Sequence, residues 1–470
     1  MPIQPRPRWS YECNDFVEDL GADRMAAWVP DVAGDVDMAH LISAVSSGRE
    51  PELMGLVVPR PDGGSMTVPV LHPAVIVQLH RAVLPLRKLT DRMLAPGVVS
   101  YRRGADRHWN FSPAWRSFTD KTAQLACRSQ WVVFTDVASF FDCTPWSQVL
   151  RCGAGILDRH ELAPLRELAE RLSAAGLAHL PSGYSDARLL GNLVLGHAER
   201  GLTLEFLRWV DDYRLFAHSE RQAHEALACL SEGLSVFDLK LNLSKTRIVP
   251  GYEAAVEVRD SFVAIFNSEV DSSRVIHEKL IGAFRRAAAD PVERRRELRY
   301  SLAVLTREHE PAFIDWAFAS LWEIPWEAPR LVSYLASVSN DPRVASGVDR
   351  ALGKAAQIAD PWRVCRLAPL AMHTGAEMLS NSTLSALLEA LPRLAGSPAW
   401  GLALRTLSRA RHREVVERVL ADQVVDVRAA LVALRDLDLA LPASLCALEP
   451  ALAEALRYVP APLPPVRSML

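Results

Sequence analysis

The sequence lacks the features that would place this protein in a membrane or outside the cell. No run of 18 or more apolar residues occurs in its 470 residues, which argues against a membrane span. The opening stretch, MPIQPRPRWSYECND, has no basic segment followed by an apolar one, as a signal peptide would. The seven cysteines form no CxxC pair and no regular spacing, so we expect reduced thiols without a zinc site or a disulfide framework. These absences predict a cytoplasmic protein.

Positive charge is not in excess overall, but it is concentrated in one segment. The formal net charge is −3, yet residues 81–130 hold ten lysines and arginines against three aspartates, a local net charge of +7. Five aromatic residues lie among these cations: Tyr101, Trp109, Phe111, Trp115 and Phe118. Cations alternating with aromatic rings are typical of surfaces that bind phosphates and stack bases. A solvated basic face over an aromatic core gives the same pattern, and taken alone it is the better explanation.

The chain has two regions with different sequence patterns, which predict an α+β domain followed by an all-α domain. Up to about residue 270, helical patterns mix with short β-rich stretches such as WVVFTDV (131–137) and FLRWV (206–210). From about residue 275 onward, strand patterns stop and Ala/Leu-rich helical periodicity takes over. We therefore predict one domain over residues 1–270, a helical domain over 275–455 and a Pro-rich tail over 456–470.

The helical half carries a repeat-like pattern. Four leucines share one helical face within STLSALLEALPRL, for which Ser382 is a suitable N-cap. The segment DVRAALVAL (426–434) resembles the second half of a HEAT-type repeat, in which helix pairs stack into a solenoid. The repeat is degenerate, so a bundled helical domain is the alternative.

Four short motifs follow one another within the first half. WVVFTDVASFFD is a β-rich run with Asp136 at the end of its strand, and LPSGYSDARLLGNLVL is a turn leading into an amphipathic helix. RWVDDYRLF reads as a hairpin with adjacent Asp211 and Asp212, and LNLSKTRIV is a strand-like stretch that carries Lys245. Each has an ordinary explanation alone, as a helix cap, a loop–helix junction, a polar turn or an exposed lysine.

The order and spacing of these motifs resemble the palm of reverse transcriptases. The resemblance covers about residues 65–250, including VPVLHPAVIVQLHRAVLPLRKL and VVSYRRG, which look like finger segments of bacterial members. It implies a fingers–palm domain with an antiparallel palm sheet, and a DNA polymerase that uses two Mg²⁺ ions, with Mn²⁺ as a substitute. Two such ions activate the attacking hydroxyl and neutralise the leaving pyrophosphate, and Mg²⁺ prefers carboxylate oxygens.

The resemblance also assigns the metal ligands. Asp136 and Asp211 correspond to the metal-ligating aspartates, and the Val137 carbonyl to a further ligand. Asp212 corresponds to the neighbouring acid, which supports the site more than it binds metal. A bound dication would relieve the repulsion between adjacent aspartates, which explains why a turn would carry two of them.

Further residues correspond to nucleotide contacts. Phe141 matches the aromatic steric gate that excludes a ribose 2′-hydroxyl, so dNTPs are the expected substrates. Lys245 matches the lysine that protonates the leaving pyrophosphate. Four residues match contacts with the incoming nucleotide, its triphosphate or the template: Ser182, Gly183, Arg102 and Arg103.

Several motifs differ from those of most reverse transcriptases, and these differences restrict the resemblance to a subgroup of the family. Ser182 replaces the usual Gln of the LPQG motif, and Trp209-Val210 precede the aspartates in place of Tyr/Phe-Ala. The Val-Thr-Gly triplet of retron enzymes and the maturase and endonuclease regions of group II intron proteins are missing. A reverse-transcriptase region followed by helical repeats resembles the abortive-infection and "unknown group" bacterial enzymes, which act in antiphage defence and assemble into oligomers.

Several functions remain open at this level. Members of that group make DNA without a template from a protein hydroxyl, or copy a partner non-coding RNA. The expected partners are dNTPs, the DNA product, an RNA and further copies of the chain, without a membrane. A templated enzyme of a mobile element and a non-enzymatic helical scaffold with a degenerate palm are alternatives, and an RNA polymerase is a more distant one. The candidate priming tyrosines outside the motifs are Tyr11, Tyr101, Tyr252, Tyr300, Tyr334 and Tyr458.

Overall fold

The described part of the chain has an α+β fold that is mostly helical and contains two small antiparallel sheets. The computed structural model describes residues 53–71, 73–101, 111–259, 273–410, 430–431 and 433–434. These residues divide into two units, one between 75 and 259 and the other formed by 53–74 and 273–434. No helix among them is long and apolar enough to cross a membrane.

The first unit is built around a four-stranded antiparallel sheet of strand order β4-β5-β3-β6. Its strands are β3 (Trp131–Asp136), β4 (Phe206–Trp209), β5 (Asp212–Ala217) and β6 (Arg247–Pro250). Its helices are α1 (Pro73–Met93), α2 (Phe111–Ala126), α3 (Trp146–Gly153), α4 (Arg159–Ala174), α5 (Ser185–Ala198), α6 (Glu220–Ser235) and α7 (Gly251–Arg259). A short 3₁₀ helix, Glu199–Gly201, follows α5.

One face of this sheet packs against α2 and α7. The hydrophobic cluster on that face contains Phe118, Ala126, Val132, Phe134, Leu207, Trp209, Phe216, Ala254 and Ala255. Because side chains alternate along a strand, Asp136 lies on the same face as Phe134. Phe118 is only 2% exposed, so this aromatic residue of the basic segment belongs to the core and cannot stack on a base.

The helix after the LPSGY turn is more buried than the sequence pattern predicts. α5 packs against α3 and α6, and every residue from Leu189 to Leu195 is buried. The prediction of an amphipathic helix is therefore wrong, because this helix has no solvent-facing stripe through its middle turns. Two polar side chains on it, Asp186 and Asn192, are buried with it.

A short segment adds to the edge of β4. The Arg208 amide donates to the Gly97 carbonyl at 2.9 Å, and the Val99 amide donates to the Arg208 carbonyl at 3.0 Å. A Cβ atom at Gly97 would lie 1.8 Å from the Phe206 carbonyl oxygen, so only glycine fits there. This close approach brings Ser100 next to the β4–β5 turn.

The second unit joins a hairpin to a series of helices. Its elements are β1 (Leu53–Pro59), β2 (Ser65–Leu71), α8 (Ser273–Ala289), α9 (Arg295–Glu308), α10 (Ile314–Glu323), α11 (Ala328–Ser337), α12 (Pro342–Gln357), α13 (Pro361–Thr374), α14 (Asn381–Leu394) and α15 (Pro398–Arg409). Short 3₁₀ helices occupy Pro311–Phe313, Pro325–Glu327 and Ala376–Met378. The predicted domain boundary would put the β1–β2 hairpin with residues 1–270. In the structure, β1 packs instead against α13 and the 3₁₀ helix Pro325–Glu327, so the hairpin belongs to the second unit.

The later helices pack in a regular manner. α12 packs against α13 and α14, and α13 and α14 each pack against α15. Helix α14 begins after Ser380, whose hydroxyl accepts from the Thr383 amide, so the prediction of Ser382 as its N-cap is wrong. Ser382 lies inside the first turn, where its hydroxyl is 3.0 Å from that of Ser380. Most of the predicted 426–434 helix lies outside the described residues.

Candidate active site

Aspartates from two neighbouring strands meet at one end of the four-stranded sheet. β3 ends at Asp136, and the turn between β4 and β5 carries Asp211. Asp136 is the register partner of Asp212, and the Val137 amide donates to the Asp211 carbonyl at 3.2 Å. These backbone contacts confirm the predicted strand–turn–strand, and they bring the three predicted aspartates together. Asp136 does not cap a helix.

The site concentrates negative charge in a poorly solvated place. Asp136 is 6% exposed. Burial, followed by the charge of Asp136 and then that of Asp212, raises the pKa of Asp211 to about 7. The carboxyl groups of Asp136 and Asp211 are close enough to share a hydrogen bond. A cation would remove this penalty, so the electrostatics favour a cation-binding site.

Lys245 supplies one positive charge to the site. Its ammonium group forms an ion pair with Asp136 Oδ2, and its side chain is 65% exposed. Although burial acts against the charge, the hydrogen bond and the charge of Asp136 raise the pKa of Lys245. The residue lies in a turn, and the strand begins only at Arg247, so the prediction of a strand through Lys245 is wrong.

The turn that carries Lys245 is anchored directly to β3. The Asn242 amide donates to the Asp136 carbonyl at 2.7 Å, and the Ala138 amide donates to the Lys240 carbonyl at 2.8 Å. The hydroxyl groups of Thr135 and Thr246 are 2.7 Å apart. These bonds fix the lysine beside Asp136.

Beneath the aspartate turn lies a buried polar network that the sequence did not reveal. The Arg208 side chain is fully buried and forms an ion pair with Glu199 Oε1. Its Nη1 donates to Asn192 Oδ1 at 2.6 Å and to the Val210 carbonyl at 2.7 Å. The Tyr213 hydroxyl donates to Glu199 Oε1 at 2.8 Å. Arg208 thus links α5, Glu199 in the 3₁₀ helix and the residue before Asp211.

The turn itself is held in an unusual backbone conformation. Val210 has a φ of 56°, a left-handed conformation that is unfavourable for a β-branched residue. Its amide donates to Ser100 Oγ at 2.7 Å, and its carbonyl accepts from Arg208. Asn192 Nδ2 in turn donates to the Ser100 carbonyl at 3.0 Å. The backbone amide and carbonyl of this strained residue are therefore both fixed by hydrogen bonds to the surrounding structure.

Asp212 has a different environment from the other two aspartates. Its side chain is 41% exposed and lies 3.6 Å from Arg214 Nη1. The Arg214 guanidinium stacks over the Phe134 ring at 4.7 Å. Asp212 is therefore partly solvated and partly paired with a cation.

Three of the remaining predicted residues lie within the described part of the chain, and two lie outside it. Phe141 is half-buried and packs against Phe140, with ring centroids 5.1 Å apart. Ser182 and Gly183 lie in the turn before α5, where Gly183 has a φ of 94° that favours glycine. Arg102 and Arg103 lie outside the described residues.

The carboxylates of Asp136 and Asp211 suit Mg²⁺ better than they suit a metal whose ligands all come from protein side chains. Within the described ranges, no group of three or more His, Cys, Asp or Glu side chains is arranged to hold a metal ion. Mg²⁺ is commonly bound by one or two carboxylates, with waters and substrate phosphates completing its shell. Asp136 and Asp211 provide such a pair, and the raised pKa of Asp211 is the observation that fits a dication.

Comparisons with known proteins add little to this geometry. No protein-family model and no curated protein matches the chain. Among solved structures, the chain is similar to that of telomerase from Candida albicans in complex with a TWJ fragment of telomeric RNA, at 10% identity and a TM-score of 0.33. The likeness covers 81% of this chain and spans 66% of that one. At such a TM-score it carries no argument, so the functional assignment rests on the site.

Proposed function

We propose that the protein is a Mg²⁺-dependent DNA polymerase of the reverse-transcriptase type. The observation that carries the proposal is the convergence of Asp136 and Asp211 at one end of an antiparallel sheet, where burial and mutual repulsion raise the pKa of Asp211. Bound between these carboxylates, Mg²⁺ would supply the charge that activates a hydroxyl and stabilises pyrophosphate as it leaves. In this proposal the sheet is the palm of the enzyme.

The chain's own residues provide the remaining chemistry of this proposal. The Lys245 side chain is 65% exposed, so its ammonium group would be accessible to a bound phosphate and would donate a proton to leaving pyrophosphate. The Phe141 ring would close off the space beside a sugar 2′ position, which selects dNTPs. Ser182 and Gly183 would contact the incoming nucleotide or the template.

In a protein-primed reaction, the burial and position of a tyrosine would decide whether its hydroxyl can serve as the primer. Tyr334 is fully buried, and burial raises its pKa to about 12. Tyr252 is exposed, but it follows the end of β6 that pairs with Trp131, and the length of β3 puts that end about 17 Å from Asp136. The Tyr101 ring lies 6.4 Å from that of Trp209, beside the aspartate turn. Protein priming within one copy of the chain would therefore favour Tyr101 over Tyr252 and Tyr334.

The proposed cellular role is defence against phage, with the helical unit acting as a HEAT-like repeat domain. The packing of α12 against α13 and α14, and of α13 and α14 against α15, supports stacked helix pairs. The defence role rests on the resemblance of motif order and architecture alone. Assembly into oligomers and copying of a partner RNA belong to the same proposal.

A single gel experiment tests the proposed reaction and its priming. The purified chain is incubated with Mg²⁺ and each labelled dNTP, with and without added RNA, and the products are run on a denaturing gel before and after protease digestion. Label that stays with the protein and is released by protease indicates protein-primed synthesis, whereas label only with RNA indicates templated copying. Absence of label under both conditions would refute the proposed polymerase.

A further inference from the structure

A second charged cluster lies in the helical unit, far along the chain from the aspartates. Glu327 is fully buried in the 3₁₀ helix Pro325–Glu327. Its Oε1 accepts from Arg295 Nε at 2.7 Å and from Arg299 Nε at 2.8 Å, and its Oε2 accepts from Arg330 Nη1 at 3.1 Å. We call Arg295, Arg299 and Arg330 the arginine cluster. It joins α9, the 3₁₀ helix and α11.

The arginine cluster has more positive charge than its structural role requires. Three guanidinium groups against one carboxylate leave a local charge of +2. Burial lowers the pKa of Arg299, and the neighbouring charges of Arg330 and Arg295 lower it further, against the opposing effect of Glu327. One arginine is enough to neutralise the buried carboxylate. The two additional guanidinium groups add repulsion among the three arginines, which lowers the stability of the fold.

The cluster also retains unused hydrogen-bond donors at the surface. The side chains of Arg295, Arg299 and Arg330 are 32%, 34% and 46% exposed. Each guanidinium has five N–H groups, and Glu327 uses only one or two from each. The other donors have no acceptor within the part of the chain that the structure describes. Partly exposed, pre-oriented guanidinium groups match the oxygens of phosphate bidentately.

Further exposed arginines lie on the two packed helices α8 and α9. α8 packs against α9, and the short connection between them places the end of one beside the start of the other. Exposed arginines occur at both places, Arg285 and Arg286 near the end of α8 and Arg296 in the first turn of α9. Several exposed cations on adjoining helix ends match a chain of regularly spaced phosphates better than they match a single small anion.

We propose that the arginine cluster binds the phosphate backbone of a nucleic-acid strand. This binding goes beyond the proposed polymerase, because it needs neither Mg²⁺ nor nucleotidyl transfer. Contacts to phosphates alone carry no base information, so the binding is independent of sequence and weakens as salt concentration rises.

The test compares two arginines of equal exposure in the full-length chain. Arg330→Gln removes one guanidinium and leaves Glu327 with two partners. Arg343→Gln is the matched control: its side chain is also 46% exposed, but it lies 2.8 Å from Asp341 and 3.9 Å from Asp315, so its charge is already compensated. Binding of a fluorescent oligothymidylate is measured by anisotropy over a salt series in EDTA, with polyglutamate as a competitor.

We expect Arg330→Gln to weaken oligothymidylate binding several-fold and to reduce the slope of log affinity against log salt by about 1, and Arg343→Gln to change neither. Glu327→Gln keeps all three arginines and removes the negative charge, so it should tighten binding.

Equal affinities for both arginine variants, or no tightening with Glu327→Gln, would overturn the proposal. The proposal would also be overturned if polyglutamate displaced the fluorescent oligothymidylate at a lower concentration of negative charges than unlabelled oligothymidylate does. The surface would then recognise acidic protein. Since no reaction is measured, an inactive polymerase would leave the result unaffected.

Discussion

Replacing Arg208 with methionine should destabilise the first unit and inactivate the proposed enzyme for two separable reasons. Arg208 is fully buried, and its removal leaves the Glu199 carboxylate, only 3% exposed, without its counter-charge. Breaking a buried ion pair by removing one partner costs about 3–5 kcal/mol. Because a domain's total stability is typically about 5–15 kcal/mol, Arg208→Met should lower the denaturation midpoint visibly.

The double variant Arg208→Met with Glu199→Gln separates stability from function. A neutral pair in place of a buried ion pair is often close to neutral in stability, so we expect much of the lost free energy of unfolding to return. The Val210 carbonyl, however, still lacks the donor that holds it at 2.7 Å in the wild type. The turn that carries Asp211 is then no longer fixed, and a displacement of about 1 Å can reduce a reaction rate about 10²-fold.

Two measurements decide the matter: urea denaturation for the free energy of unfolding, and Mg²⁺-dependent dNTP incorporation for activity. The reasoning is refuted if Arg208→Met costs less than about 1 kcal/mol. It is also refuted if the double variant regains both stability and full incorporation, since Arg208 would then only compensate Glu199. Arg208→Lys adds a further check, because lysine preserves the charge but lacks the planar fork whose Nε contacts Glu199 while its Nη1 reaches Asn192 and Val210.

Other predictions follow from the same site. Phe141→Ala should admit ribonucleotides, measured as the ratio of NTP to dNTP incorporation, and unchanged sugar selectivity would remove the steric-gate role. Lys245→Met should slow incorporation by roughly 10²- to 10⁴-fold with little change in stability, whereas the exposed Lys240→Met should have no effect; equal rates for both variants would contradict the acid role. In EDTA, stability should fall as pH rises from about 4 to about 7, because folded Asp211 holds a proton that the unfolded chain has released. Mg²⁺ or Asp211→Asn should flatten that profile, and a flat wild-type profile would argue against the crowded carboxylates.

The sequence predicted the aspartate hairpin because its signal is local. Adjacent aspartates between two apolar stretches define a turn, and antiparallel pairing then fixes which residues face each other. The place of Asp136 could be inferred only from the order of the motifs, since its contact with Asp211 joins residues that are distant in sequence. The strand through Lys245 was predicted wrongly because the alternation of LNLSKTRIV looks extended, whereas hydrogen bonds from Asn242 to β3 turn the chain there.

The buried network around Arg208 could not be predicted from the sequence. Arginine is seldom fully buried, and nothing local marks Glu199 or Asn192 as its partners. A signal was present in retrospect: Arg208 lies within the apolar run FLRWV, where a charged residue needs a buried partner. Likewise, base stacking stayed open for Phe118 beside the favoured explanation of a core aromatic, because exposure cannot be read from interleaved aromatic and basic residues alone.

Wild type and Asp211→Asn, compared side by side for dNTP incorporation, test the central claim most directly. Both proteins are purified identically and assayed with Mg²⁺, with and without RNA, after circular dichroism has shown that they are equally folded. We predict incorporation by the wild type that EDTA abolishes, and none by Asp211→Asn, whose fold should be at least as stable because a repelling charge is gone. Equal incorporation by the two proteins would show that the reaction does not depend on this carboxylate, and the proposed active site would be wrong.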